Sequence, residues 1–348
     1  MRRLVGLNLV LLVLLVAAVI SSGSLVTGES IKLSSSVMPI PSSEAGLPTI
    51  MAEPWLQVDG DPMTMLEGPA FDRQGNLFLL STLDGRVWKV TPEKAGTVIF
   101  ANRAIMPAGM AIHKDGRLFI VAVSGQIFSI NPDGSGYTEV KARINGNPKQ
   151  PDDLVFDSKG NLYVTDVAGT ISEPTGGVYR YSADFQTVTP IYENMAAANG
   201  ISLSPYRPDI YPQPLPYAFD LWVAESARNS IVRLRMMPDG ITPAHPRATY
   251  PYQFTGDAGP DSNKVDSNGN VYQAIGPQGR ILILNNAGIP IAQVLIPGRD
   301  QGKNLVTTNL AFKPGTDEAY VTSSGTDGGW IFKFKALAEG ASLFSHQD

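Results

Sequence analysis

An all-β chain built as a ring of six four-stranded antiparallel blades is predicted by three features of the sequence. A short hairpin unit recurs six times, a third strand-like run follows each hairpin, and no long amphipathic helix interrupts the series. The hairpin is clearest in residues 151–166, PDDLVFDSKGNLYVTD. Two apolar, β-prone runs (Leu154, Val155, Phe156 and Leu162, Tyr163, Val164) flank Gly160-Asn161, a pair that tolerates the positive φ of tight turns. Aligning each copy on the last apolar residue of its first strand gives Phe71, Ile112, Phe156, Leu203, Val265 and Phe312. The third runs include Arg86-Val87-Trp88-Lys89-Val90, Val178-Tyr179-Arg180-Tyr181 and Trp330-Ile331-Phe332-Lys333-Phe334. Weaker fourth strands follow, such as Thr97-Val98-Ile99-Phe100. Meanders of this kind, each too thin to bury its own faces, are expected to stack around an axis as a six-bladed β-propeller.

The remaining segments take their places around that ring. Arg2 and Arg3 precede an apolar run from Leu4 to Ile20, and Ser21, Ser22, Gly23 and Ser24 follow it, the layout of a secretory signal over residues 1–23. An uncleaved anchor is the alternative, since the run approaches the length needed to span a bilayer. Residues 24–46 are rich in Ser and Pro and are expected to be a linker, with the propeller occupying 47–348. The expected location is therefore exported, periplasmic or secreted, with membrane association only if the leader is retained. Residues 49–58 are expected to pair with the last blade and close the ring. A Pro-rich insertion, residues 205–219, falls between the first two strands of the fourth unit and is expected on the face away from the strand beginnings. Residues 337–344 are expected to form a short C-terminal turn.

Composition narrows the chemistry. The 348 residues carry a formal charge of −5 and no basic patch, which argues against a nucleic-acid partner. With no cysteine there is no disulfide, no thiol nucleophile and no Cys-ligated zinc. His113, His245 and His346 are scattered without zinc-ligand spacing, and neither a G-x-S-x-G elbow nor a phosphate-binding loop is present.

What does converge is oxygen. Four positions before each aligned residue stand Glu67, Ala108, Asp152, Asn199, Asp261 and Thr308. In a propeller the first strands line the central channel, so these positions meet near the axis. Carboxylates gathered there repel one another unless a cation neutralises them. All-oxygen ligation favours a hard cation, Ca²⁺ ahead of Mg²⁺ because several protein groups converge. Asp and Asn also serve as turn formers before strands, a reading that suits single positions but not the whole column. Asp153, one residue beyond Asp152, is expected to point away from the axis.

These residues resemble the gluconolactonase/regucalcin (senescence marker protein) family of calcium-dependent six-bladed propellers, and within it the drug-responsive bacterial lactonases. The resemblance runs over about residues 49–316 and is dense at AEPWL, LEG with FDRQG, IHKDGRLF, ANGISLS, GPDS and PIAQVLIPGRDQG. It implies Glu67, Asp152, Asn199, Asp261 and Ser262 as ligands of one catalytic Ca²⁺, with Asp261 as acid/base. It implies a hydrolase that opens a small lactone ring, the metal polarising the carbonyl. Three departures stand out. Asp152 replaces a frequent Asn. Gln150 replaces an arginine that contacts sugar lactones. The segment 122–126, near which the lactonases hold a second, structural ion, is shorter here. Two alternatives carry the same site to other ends: a phosphotriester or phosphofluoridate hydrolase, or a non-catalytic exported binding propeller with a structural ion. The loop between strands two and three of the third unit, residues 166–177, is the expected lid.

Overall fold

The computed structural model describes residues 38–143, 149–205 and 217–347. The leader, most of the linker and most of the Pro-rich insertion lie outside the described residues. No helix among the described residues is long and apolar enough to cross a membrane.

Six sheets form the ring, and their inner strands are Leu66–Phe71, Pro107–Ile112, Pro151–Phe156, Ala198–Pro205, Pro260–Val265 and Val306–Phe312. Each inner strand packs against the next, and the sixth returns to the first, so the circle closes. Blade three is representative: Pro151–Phe156, Leu162–Asp166, Gly176–Tyr181 and Val188–Met195 follow one another as an antiparallel meander. The first hairpin turns on Asp157, whose Oδ1 accepts from the amides of Lys159 and Asn161 while Oδ2 accepts from the Asn161 side chain. Asp72 and Asp266 repeat this arrangement in blades one and five. The repeated Asp-x-x-Gly-Asn spelling is thus hairpin chemistry.

The core is divided into six clusters, one at every seam between neighbouring blades. Phe119, Phe156, Tyr179 and Tyr181 fill the seam between blades two and three, for example. This is why strand after strand is apolar on both faces: a blade in the ring has a neighbour on each side.

Closure uses the N-terminal segment in two ways. Glu53–Asp59 supplies the outer strand of blade six, antiparallel to Gly328–Lys335, as expected. Thr49–Met51 instead runs parallel to Pro290–Leu295 and makes a fifth strand on blade five. Ahead of it, Glu44 is buried against Arg280, and its carboxylate also accepts a hydrogen bond from the Tyr252 hydroxyl at 2.6 Å.

The C-terminus does more than turn. Gly340 bridges Asp266, Phe344 packs against Phe156 and His113, and Arg73 Nε donates to Ser345 O at 2.7 Å. The tail therefore crosses from blade five to blades three, two and one along the face of the first hairpin turns. That face is opposite the one where the inner strands begin.

Candidate metal and catalytic site

The column read from the sequence lies at the beginning of the inner strands, and at this level all six hairpins carry a β-bulge. The register shifts fall between Glu67 and Ala70, Pro107 and Gly109, Pro151 and Leu154, Ala198 and Ile201, Pro260 and Asn263, and Thr307 and Asn309. A bulge inserts a residue and re-aims side chains locally. Strand alternation alone, which would send successive residues to opposite faces, is therefore suspended where the candidate ligands sit.

Close approach between blades accompanies the bulges. A Cβ on Gly200 would stand 2.3 Å from Ser262 Cα and 2.5 Å from Asp261 O. One on Gly109 would stand 2.5 Å from Asp152 O and 2.7 Å from Asp153 Cα. Blades two and four thus press glycine backbone against the ligand-bearing strands of blades three and five, with no room for a side chain.

Glu67 is buried, and its Oε2 accepts from the Gly68 amide (3.0 Å) and from Asn309 Nδ2 (3.4 Å). Its carboxyl is held well above the usual range by burial first, then by the Asp261, Asp152 and Asp153 carboxylates. Asp152 is raised well above its ordinary value by burial and by Asp261, Asp153 and Asp166. Burial followed by Asp153 pushes Asp261 up to about 8, although hydrogen bonds from the Asn199 amide and the Ser262 backbone N–H, and the Lys264 charge, pull the other way. Glu67, Asp152, Asn199 and Asp261 therefore share one electrostatic neighbourhood, and Ser262 joins it through its backbone amide. The other two column members differ. Ala108 offers no donor atom, and Thr308 Oγ1 bonds to Leu66 O (2.7 Å) across the seam between blades six and one.

Two residues escaped the sequence reading. Asn309 reaches Glu67, and its only trace in the sequence is its place next to Thr308 in the column. Strand alternation places Asp153 off-axis. It is instead buried, and its charge raises both Glu67 and Asp261. The bulge spanning Asp152 and Asp153 is the reason, since it lets two consecutive side chains serve the same region.

Does this donor set fit a cation? Among the described residues, no three His, Cys, Asp or Glu side chains are grouped to hold a metal ion by themselves. The Asn199 Oδ1 is buried without a hydrogen-bond partner among the described residues, as an amide oxygen with a ligand role would be. Together with carboxylates raised first by burial and then by one another's charge, that oxygen fits a hard cation. Pro151, next to Asp152, lines a cleft between blades two and three that Lys149, Tyr179 and Tyr181 also wall.

The fold and the site together define a six-bladed propeller with carboxylates and an amide gathered where its inner strands begin. The chain belongs to the SMP-30/gluconolactonase/LRE-like family, whose model matches residues 65–325. It is 42% identical to a lactonase drp35 of Staphylococcus saprophyticus over 314 residues, 88% of this chain and 93% of the relative. It is 41% identical to that of Staphylococcus aureus over 323 residues, 90% of this chain and 95% of the relative. Among solved structures, the calcium-binding protein regucalcin from Agrobacterium tumefaciens shares the fold with a TM-score of 0.66 at 20% identity, covering 84% of this chain and 98% of its own. A gluconolactonase from Xanthomonas campestris gives a TM-score of 0.63 at 17% identity, covering 80% of this chain and 89% of its own.

Proposed function

We propose that this protein is a calcium-dependent hydrolase that opens small lactone rings at the Glu67, Asp152, Asn199 and Asp261 cluster. The observation that carries the reading is the buried, unpartnered Asn199 Oδ1 set among three carboxylates with raised pKa values. Support for the substrate class comes from the relatives named as lactonases, which match at 41–42% identity over most of both chains.

Glu67, Asp152, Asn199, Asp261 and Ser262 would hold the ion, and the Ser262 backbone amide also helps to keep the Asp261 carboxylate ionised. When bound, Ca²⁺ supplies a Lewis acid for the lactone carbonyl and for the oxyanion formed as water adds. Asp261 is the proton carrier: its carboxylate takes a proton from the attacking water and returns it to the leaving alkoxide or phenolate. Burial and the Asp153 charge raise Asp261 in the metal-free protein, and beside a bound cation it would return towards the ionised form that accepts the proton. The close approach of Gly109 and Gly200 sets blades two and four tightly against the ligand strands of blades three and five. The N-terminal leader would export the enzyme, with the mature chain beginning near Ser24.

A screen of aromatic, aliphatic and sugar lactones alongside phosphotriesters tests the reaction class. Hydrolysis of one or more lactones well above the uncatalysed rate is expected. Turnover of phosphotriesters alone would move the site to the alternative chemistry, and an empty screen with bound calcium would leave a binding propeller.

A further inference from the structure

We propose that Asp153 and Lys264 form an internal positioning pair that ties the ligand strands of blades three, four and five together and thereby sets the affinity of the cation site. The inference rests on the proposed cation-site reading and assigns neither residue as a ligand.

Asp153 reaches all three of those blades. Its own backbone N–H donates to Thr165 Oγ1 (3.0 Å), and its Oδ1 accepts from the Leu154 amide (2.8 Å), both within blade three. Its Oδ2 accepts from the Ile201 amide of blade four at 3.2 Å, two residues beyond Asn199. The same oxygen meets Lys264 Nζ of blade five at 3.3 Å, three residues beyond Asp261. One carboxylate thus joins the strands that carry Asp152, Asn199 and Asp261. Blade two closes the fourth side, where a Cβ on Gly109 would come within 3.0 Å of Asp153 Oδ1. The Asp153 side chain is almost wholly buried and that of Lys264 largely so.

A buried ion pair of this kind contributes little net stability but holds geometry, because each charge is costly without the other. Groups that orient metal ligands typically change metal affinity by about 10–100-fold when removed. A second account must be separated from this one. Lys264 could act only as a positive charge near the site, and then its loss would strengthen calcium binding.

The test is a calcium titration, followed by calorimetry, of the full-length wild type, Lys264→Gln and the double variant Asp153→Asn/Lys264→Met, with melting temperatures in chelator as the fold control. The double variant keeps the net charge of the wild type, so a purely electrostatic role leaves its affinity unchanged. Positioning predicts that Lys264→Gln and the double variant both bind calcium about 10–100-fold more weakly by calorimetry. Should Lys264→Gln not fold, the double variant, which leaves no buried charge unpaired, decides alone. Wild-type affinity in the double variant, or tighter binding by Lys264→Gln, would overturn the inference while leaving the cation site intact. A wild type that binds no calcium would overturn both, and the same titration shows which has failed.

Discussion

The Asn199 side chain lies against the Asp261 carboxylate and helps to lower its pKa, while Asn199 Oδ1 is buried with no hydrogen-bond partner among the described residues. The oxygen left open beside the residue proposed to carry the proton is the one available to a cation. Glu67 and Asp152 complete the group from blades one and three.

Asp261→Asn keeps a ligand oxygen and the shape of the side chain but cannot exchange a proton. General acid–base groups contribute about 10²–10⁴-fold to rate, so kcat should fall by at least about a hundredfold. Removing one of the repelling carboxylates should also raise the melting temperature in chelator. Steady-state kinetics and a thermal melt on the same preparation check both, and a near-normal kcat would place the acid/base elsewhere.

Stability without calcium should fall as pH rises. Asp261 moves from an ordinary 3.8 to about 8 on folding, and Glu67 and Asp152 are raised as well. Between those limits the folded state binds more protons than the unfolded one, so each increment of pH favours unfolding. The contribution is complete below the ordinary carboxylate range and lost as pH passes through about 8. Melts in chelator at pH 5.5 and pH 8 should show the lower midpoint at the higher pH, and added calcium should narrow or reverse the difference because the ion binds the deprotonated groups.

Gly200→Ala should damage the site from a neighbouring blade. The new methyl would stand 2.3 Å from Ser262 Cα and 2.5 Å from Asp261 O, both on backbone that cannot swing aside. Overpacking of this kind costs about 1–3 kcal/mol, and here the strand displaced carries the proton donor. Denaturant melts should show that loss, and kcat/KM should fall with it. Unchanged stability would mean that blades four and five can separate without penalty.

The ring and its repeats were legible in the sequence because hairpin turns and short apolar runs are local signals. The column of ligands was legible because six copies could be aligned, so that Glu67, Asp152, Asn199 and Asp261 fell together. The bulges were not, since an extra residue in a strand leaves no local spelling. Plain alternation therefore sends Asp153 off-axis and gives no sign of Asn309 beside Thr308, whereas the bulges bring both into the site. Residues 41–46 fall in the linker by their Ser and Pro content, yet Glu44 is buried. Its partner Arg280 lies more than two hundred residues away in the chain, beyond the reach of any compositional argument.

That contact gives its own prediction. Glu44→Ala leaves the Arg280 guanidinium buried without its carboxylate, and breaking a buried pair from one side costs about 3–5 kcal/mol. A denaturant midpoint well below that of the wild type is expected, with the calcium affinity of the surviving folded protein unchanged. A midpoint within error of wild type would show that the segment is dispensable to blade five.

The central claim is that Glu67, Asp152, Asn199 and Asp261 hold a calcium ion on which lactone hydrolysis depends. The most direct measurement is the rate of hydrolysis of a responsive lactone by protein stripped with chelator, followed as Ca²⁺ is added back and metal content is measured in parallel. Activity should vanish on stripping and return in proportion to about one calcium per chain, the single ion that one oxygen cluster can hold. Full activity in metal-free protein would contradict it.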